Sequence, residues 1–342
     1  MSTPTSMRAW QFNAIHNGLE NSVKLNTVPL PARKPDQHLI KVLYAATNPF
    51  DYKPVEVGLI NRFMMPKPAT PGSDIAGRIV VPAVGSTLKA GQLVFGASVD
   101  KTLFAGGGFR EHTLSNDKQL VAIPEGVSAK AASTITVGGI SAYQTIVPHV
   151  KPEDKIFING GSGGVGTFSI QIAKICGCHV TTTCSTANVE LCKSLGADEV
   201  IDYRKQNVIE VLKSKGPVFD HAVDNVCHDW NLYWQSYRYL KPNAKYINVA
   251  AAPTFSSFLN PIKAGLPVVL GGGRRKLEGY FAQPDAKQLQ EIAGWVANGK
   301  VKTLIDSEFT FEQLPDAVRR QKTGRARGKI VVEVAKDDRT SG

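Results

Sequence analysis

A short apolar run, Ile156-Phe157-Ile158, enters the loop Asn159-Gly160-Gly161-Ser162-Gly163-Gly164-Val165-Gly166 and leaves it in a helix-patterned segment, Thr167 to Cys176. Gly161, Gly163 and Gly166 stand at G-x-G-x-x-G spacing. In that pattern the first glycine permits a tight turn, the second lets backbone approach a pyrophosphate, and the third lets helix pack closely on strand. Ser162, Gly164 and Val165 complete the loop, and the helix N-terminus behind it turns unpaired N–H groups toward phosphates. A strand, a glycine loop and a helix in this order predict a dinucleotide-binding turn.

The next strand candidate, His179 to Cys184, runs into Cys184-Ser185-Thr186. A site that holds a free ribose 2′-hydroxyl places Asp or Glu there, and this chain has neither. A small hydroxyl residue followed by Asn188 leaves room for a 2′-phosphate. The expected cofactor is therefore NADPH, with Ser185, Asn188 and Tyr203 as its hydrogen-bonding partners. Ser185 is also placed to cap a helix beginning near Asn188, and the two roles are compatible.

At 342 residues the chain exceeds the usual span of one core, which predicts two domains. No apolar run approaches the roughly 20 residues needed to cross a bilayer. The polar stretch Met1 to Ser6 gives way at once to a strand-like run, Met7 to Phe12, leaving no space for a targeting peptide. Five cysteines, an odd number without zinc-type C-x-x-C pairs, are expected as reduced thiols in the cytoplasm. The formal charge of +11 culminates in a run of Arg319, Arg320, Lys322, Arg325, Arg327 and Lys329 with no acid between them. No aromatic residues interleave with these cations to stack bases, which argues against nucleic acid. Either the run is a solvated basic face, or one of its arginines, with Arg325 the candidate, meets the 2′-phosphate.

Short β-patterned runs broken by Gly and Pro fill residues 1–126, notably Leu39 to Ala46, Ile75 to Val81, Gln92 to Ala97 and Phe109 to Leu114. Residues 127–279 alternate helix and strand: a helical Ala129 to Ile146, then strands at 156–159, 179–184, Glu199 to Asp202, His221 to Val226 and Lys245 to Ala250. Helices at 167–176, 188–195, Asn207 to Lys213 and Tyr233 to Leu240 separate them. This alternation predicts an α/β fold, a doubly wound parallel sheet with its crevice at the carboxyl ends of the strands. Residues 280–342 return to a helix, Ala286 to Asn298, and two β-like runs. The segment Ala250 to Pro267, with Pro253, Phe255, Phe258 and Pro261, is expected to line a substrate pocket. Pro267 to Leu270 reads either as an edge strand pairing across a dimer or as an internal strand, leaving monomer and homodimer both open.

With this order of parts, the segments Gly106-Gly107-Gly108-Phe109-Arg110-Glu111, Ala142-Tyr143-Gln144, Leu195-Gly196-Ala197-Asp198 and Gly328-Lys329-Ile330-Val331-Val332 join the glycine loop in resembling the medium-chain dehydrogenase/reductase superfamily. Asn48-Pro49-Phe50-Asp51-Tyr52-Lys53 and Pro71-Gly72-Ser73-Asp74-Ile75-Ala76-Gly77 look like its quinone oxidoreductase branch, with its reticulon-4-interacting-protein-like and fungal enoyl reductase members. The likeness spans about residues 7 to 334. It implies a Rossmann half and a discontinuous GroES-like catalytic domain completed by the C-terminal return.

Zinc-dependent members carry a Cys ligand where this chain has Asn48 to Asp51 and a Gly-His-Glu where it has Gly72-Ser73-Asp74, so the resemblance implies no metal here. Without that Lewis acid, the implied acceptors are quinones and conjugated enones. Lys53, or else Tyr52, is the implied electrophilic contact to the acceptor oxygen, although several relatives have tyrosine near the Lys53 position. Lys53 also reads as an exposed loop lysine. Asn48 is implied beside the nicotinamide ribose or substrate, or forms an Asx-turn ahead of Pro49. Val137, Gly138 and Ser141 correspond to the nicotinamide-side loop, or are helix packing. Cys227-His228 replaces the paired glycines of many relatives, too few ligands for a metal, with His228 a candidate general acid. The rival readings are a trans-acting enoyl reductase, its substrate carried on an acidic acyl-carrier domain that suits the basic surface, and a non-catalytic NADPH-binding protein.

Overall fold

Six strands form one wholly parallel sheet in the order Glu199–Asp202, His179–Cys184, Lys155–Asn159, Phe219–Asp224, Leu240–Asn248, Lys276–Gly279. Numbered along the chain this is 3-2-1-4-5-6, the doubly wound order, whose switch point lies between Lys155–Asn159 and Phe219–Asp224. Ile156, Phe157 and Ile158 in the first strand are fully buried, as a parallel strand covered on both faces requires. Phe157 packs against the tilted ring of Phe219 and edge-on against Tyr239, joining the two central strands to the turn that precedes Leu240–Asn248.

The computed structural model describes residues 4–57, 67–99, 106–249 and 255–337. Two compact units divide the chain: Ser141–Ala282, which holds the parallel sheet, and Met1–Ile140 with Gln283–Gly342. The division falls within the helix Thr136–Ile146, later than the expected change at residue 126 and close to the second one at residue 280.

In the unit made from both chain ends, His38–Ala46 lies at the middle of a seven-stranded sheet. Asp74–Val81, Leu93–Ala97 and Leu120–Ala122 follow on one side. Lys329–Glu333 pairs antiparallel on the other, bringing Ile305–Thr310 with it in parallel. The C-terminal return thus completes the sheet. Ile330 and Val332 join Ile40, Val42, Ile75 and Phe109 in one core, each worth roughly 1.5–3 kcal/mol on burial. Trp10 donates its indole N–H to the Phe311 carbonyl at 2.8 Å, tying the two ends of the chain together.

Three expected elements differ. Ala129 to Ile146 is broken into Ala129–Ala132, capped by the Ser128 hydroxyl, and Thr136–Ile146. Tyr233 to Leu240 is a helix only over Trp230–Trp234, followed by a 3-10 turn Ser236–Arg238, and Leu240 already begins a strand. Pro267 to Leu270 is no strand: Val268–Leu270 is a 3-10 turn closed by Gly271 at φ 84°. Proline fixes φ before it and glycine supplies the left-handed φ after it, so apolar character alone misleads. Pro253 lies outside the described residues, as does the side chain of Phe255, while Phe258 and Pro261 belong to the helix Phe255–Ala264.

Candidate functional site

At the carboxyl edge of the parallel sheet, side chains from four adjacent strands are joined in one hydrogen-bonded row. The Gly160 N–H donates to the Thr183 hydroxyl at 2.9 Å, and that hydroxyl donates to Asn159 Oδ1 at 2.6 Å. Asn159 Nδ2 donates to Asp224 Oδ1 at 2.8 Å, and the Tyr246 hydroxyl donates to Asp224 Oδ2 at 2.7 Å. Burial, with Asp224 beside it, holds the Tyr246 phenol well above its ordinary range. Asp224 also accepts the N–H groups of Val226 and Cys227, each at 2.9 Å. A fully satisfied buried network of this kind rigidifies what it joins. Here it fixes the glycine loop and the loop after Asp224 on either side of the switch point.

The glycines of that loop are required for different reasons. A Cβ on Gly161 would lie 2.2 Å from Thr182 Oγ1, and one on Gly166 would lie 2.0 Å from the Gly160 carbonyl, so the chain's own packing forbids both. A Cβ on Gly163 would meet only the Gly160 carbonyl, at an ordinary 3.7 Å. The chain's own packing does not demand glycine there, and the space beside it is open.

The loop after the second strand is held to the first by Asn188 Nδ2, which donates to the Ser162 hydroxyl at 3.0 Å. Ser185 stands at the N-terminal boundary of the turn Thr186–Asn188 without a side-chain cap bond, which leaves its hydroxyl outside the capping role. Tyr203 is half exposed, with its N–H donating to the Cys184 carbonyl at 3.1 Å. The one carboxylate nearby, Asp202, ends the adjoining strand in register with Cys184. It accepts from Thr186 and from the Arg204 N–H at 3.0 Å. Buried polar atoms lacking any partner collect along the same edge: Asn188 Oδ1, Asn248 Oδ1, and both side-chain atoms of Asn225. Such orphans are rare in native structures and point to a missing polar partner.

In the other unit, the Asn48 to Lys53 segment sits over a second polar cluster. The strand residue Lys329 is buried, and its ammonium donates to Asp74 Oδ2 at 2.9 Å and to the Asn48 side-chain carbonyl. Asp74 accepts the Val137 N–H on its other oxygen at 3.0 Å. Asp51 accepts the Asn48 N–H at 2.7 Å and the Ser73 hydroxyl at 3.4 Å. Burial, and then the Asp74 charge, push Asp51 up to about 7. Asn48, Asp51, Ser73 and Asp74 are thus hydrogen-bonded within this cluster, and among the described residues no group of three His, Cys, Asp or Glu is arranged for a metal ion.

Comparison with known proteins agrees with both sheets. Residues 34–125 match the family model of the alcohol dehydrogenase GroES-like domain, and residues 195–332 match that of the zinc-binding dehydrogenase. A trans-enoyl reductase of Aspergillus terreus is 41% identical over 97% of this chain and 98% of its own length. The chain belongs to the medium-chain dehydrogenase/reductase superfamily. A chloroplast envelope quinone oxidoreductase homolog of Arabidopsis thaliana is 30% identical over 96% of this chain and 98% of its own. Among solved structures, the quinone oxidoreductase from Coxiella burnetii superposes with a TM-score of 0.84 at 26% identity, covering 96% of this chain and all of that one.

Medium-chain dehydrogenase/reductases bind a nicotinamide cofactor, and the open space at Gly163 together with the orphaned amides of Asn188, Asn225 and Asn248 fits one. Val137 and Ser141 lie in the helix Thr136–Ile146 and not in a loop. The Val137 N–H is taken by Asp74, and the Ser141 hydroxyl bonds to Tyr280. Lys53 closes the short helix Pro49–Tyr52, and the Lys322 ammonium stands 5.5 Å from the Tyr52 ring centre.

Four residues of the basic run are paired with acids, while Arg325 and Arg327 are exposed. Arg319 pairs with Asp316, Arg320 with Asp306, Lys322 with Glu20 and Glu56, and Lys329 with Asp74. Arg325 is exposed on the turn between the helix Leu314–Lys322 and the strand Lys329–Glu333, in the unit that does not hold the glycine loop. Cys227 is buried with φ 57°, its thiol donating to the Asp224 carbonyl, and His228 is exposed. The buried cluster around Lys329 escaped the sequence reading; its signal was a lysine opening the apolar run Ile330-Val331-Val332. No helix among the described residues is long and apolar enough to cross a membrane.

Proposed function

We propose that this medium-chain dehydrogenase/reductase is an NADPH-dependent, zinc-independent reductase of quinones and conjugated enones. The observation that carries the reading is the glycine loop, where Gly163 is left open by its own chain and unpartnered amides follow along the same sheet edge. The loop Gly161 to Gly166 holds the pyrophosphate through the backbone N–H groups of Ser162, Gly164, Val165 and Gly166, since those of Gly161 and Gly163 donate to the Thr183 and Gly160 carbonyls. Ser185, Asn188 and Tyr203 receive the 2′-phosphate, since Asp202 is engaged by Thr186 and Arg204. Substituting Ser185 by Asp should reverse the cofactor preference, because the new carboxylate repels a 2′-phosphate and accepts from a free 2′-hydroxyl. Fluorescence titration of both cofactors tests it: a parent protein that binds NADH as tightly as NADPH sinks the assignment.

When bound, NADPH supplies the hydride. Lys53, with Tyr52 as the alternative, stabilises the negative charge that develops on the acceptor oxygen, and Asn48, oriented by Lys329, holds the nicotinamide side of the reacting pair. Lys53→Ala should lower kcat by about 10²-fold, the usual effect of losing one oxyanion donor, while leaving NADPH affinity unchanged. Lys53→Arg should not restore the rate, since a planar fork does not reproduce a point charge. Parental turnover by Lys53→Ala would pass the role to Tyr52 or solvent. The same assay repeated after exhaustive chelation tests the metal: loss of activity, with one zinc recovered per chain, would overturn the zinc-independent mechanism.

A carrier-bound enoyl chain is the second reading of the acceptor, favoured by the 41% identity to a trans-enoyl reductase. NADPH oxidation with 1,2-naphthoquinone, a simple enone and an enoyl thioester separates the two, and inactivity toward all three favours a non-catalytic NADPH-binding protein.

A further inference from the structure

The strand His179–Cys184 and the helix Val189–Ser194 are joined by the turn Thr186–Asn188. Cys184 ends the strand, and Cys192 is the buried residue of the helix, whose Glu190, Lys193 and Ser194 face outward. Both cysteines are buried, at 1% and 0% exposure, and their thiols are hydrogen-bonded to each other. The backbone between them carries residues already assigned to the cofactor. Ser185 and Asn188 lie inside the segment, Asn188 is tied to Ser162 of the glycine loop, and the Cys184 carbonyl accepts the Tyr203 N–H at 3.1 Å.

The two thiols are not equivalent. Cys192 donates, which favours the thiolate of Cys184 and holds that group below its ordinary range, while Cys192 itself, as donor and by burial, is held well above its own. Disulfide formation needs this arrangement, one sulfur that ionises first and a second standing against it. Cys178 and Cys227 instead turn their thiols to backbone carbonyls, those of Lys151 at 3.8 Å and Asp224 at 3.0 Å, and burial pushes Cys178 up to about 12. The helix over the pair has six residues, too few to hold its shape alone. The turn before it is exposed at Thr186 and Ala187. Local opening of this segment therefore admits a small oxidant while the sheet stays folded.

We infer that Cys184 and Cys192 are a site of reversible disulfide formation that governs NADPH binding, a proposal that rests on the reading of Ser185, Asn188 and Tyr203 as the 2′-phosphate site. The oxidant is a peroxide. The Cys184 thiolate attacks a peroxide oxygen, the O–O bond breaks, and the departing hydroxide takes up a proton to leave as water, giving a sulfenic acid. The Cys192 sulfur then attacks the Cys184 sulfur, the S–O bond breaks, and a second water leaves as the S–S bond forms. Two thiols and one hydrogen peroxide give one disulfide and two waters. Bonded sulfurs lie closer than hydrogen-bonded ones, so the bond draws the helix toward the strand end and pulls Asn188 and Ser185 out of their reduced positions. Cofactor held on the reduced loop opposes the bond in return, because coupling between two sites is reciprocal.

The full chain is treated with hydrogen peroxide, with and without NADP⁺, which carries the 2′-phosphate but no hydride to donate. Peptide mass spectrometry under non-reducing conditions locates any bridge, and fluorescence titration measures NADPH affinity. The expected result is a bridge between Cys184 and Cys192, NADPH bound about tenfold more weakly, within the usual range of coupling between sites, and recovery with dithiothreitol. Saturating NADP⁺ should slow the bridging. Cys192→Ala and Cys192→Ser should bind NADPH as the parent does and keep that affinity after peroxide. Cys176→Ser, which removes the most exposed of the five thiols, should stay as sensitive as the parent. No bridge between the two residues, or a bridge that leaves NADPH affinity unchanged, overturns the proposal and leaves the cofactor reading standing. Loss of affinity that persists in both Cys192 variants assigns the effect to another oxidation and also overturns it. A reduced parent that does not bind NADPH overturns both.

Discussion

Lys329→Met should cost about 3–5 kcal/mol of stability, the usual effect of removing one partner from a buried ion pair. The ammonium and the carboxylate it faces are both buried, Asp74 fully so. Once Lys329 is gone, Asp74 keeps the Val137 N–H and loses its only cation among the contacts described. Asn48 loses a donor to its carbonyl in the same step. The pH dependence gives the sign. Burial and then the Asp74 charge push Asp51 up to about 7 while Lys329 holds it down, so removing Lys329 pushes it further up. A carboxyl that binds its proton more tightly folded than unfolded adds stability as pH falls. The variant should accordingly recover stability on acidification more than the parent does. Adding Asp74→Asn to Lys329→Met should return much of the loss, as the uncompensated charge is removed. Chemical denaturation at neutral and mildly acidic pH measures all three proteins; a loss under about 1 kcal/mol for Lys329→Met would mean that water already solvates Asp74.

The parallel sheet was legible in the sequence because its signals are local. An apolar run buried on both faces, a glycine loop and a periodic helix repeat along the chain, and the strand order then follows from short right-handed connections. The return of residues 305–333 into the first sheet is a long-range pairing; nothing in Ile330-Val331-Val332 names His38–Ala46 as its partner, and only the family resemblance supplied it. Lys329 was misread for the same reason. In sequence it is one more cation after Arg325 and Arg327, and only the sheet brings Asp74 and Asn48 against it. Pro267 to Leu270 failed for a local reason, since the glycines at 271–273 and the proline before Val268 outweigh three apolar residues that no neighbour covers. Of the residues proposed to meet the cofactor, the loop from Gly161 to Gly166 could be read from spacing. Asn225 and Asn248 could not, because an asparagine at a strand end carries no signal until its amide is found without a partner.

Gly163→Val should leave the fold intact and weaken NADPH binding by about 10²-fold, a loss of roughly 2.7 kcal/mol. The expectation comes from what each glycine's missing side chain would meet. Gly161 and Gly166 are closed off at 2.2 and 2.0 Å by Thr182 and the Gly160 carbonyl, so side chains there displace the strand–loop–helix turn itself. Gly163 has no such neighbour, and its φ is not in the left-handed region. A Cβ there meets nothing in the chain closer than the Gly160 carbonyl at 3.7 Å, so a side chain is expected to intrude chiefly on whatever approaches the loop. A charged phosphate held by backbone N–H groups contributes about 1.5–3 kcal/mol per hydrogen bond, so displacing it by the width of a side chain accounts for the expected loss. Thermal denaturation of the apo protein and fluorescence titration of NADPH read the two effects separately. Gly163→Val should melt within a few degrees of the parent, and Gly166→Val should melt far lower. If Gly163→Val binds NADPH as the parent does, the cofactor does not approach this loop, and the reductase reading loses the observation that carries it.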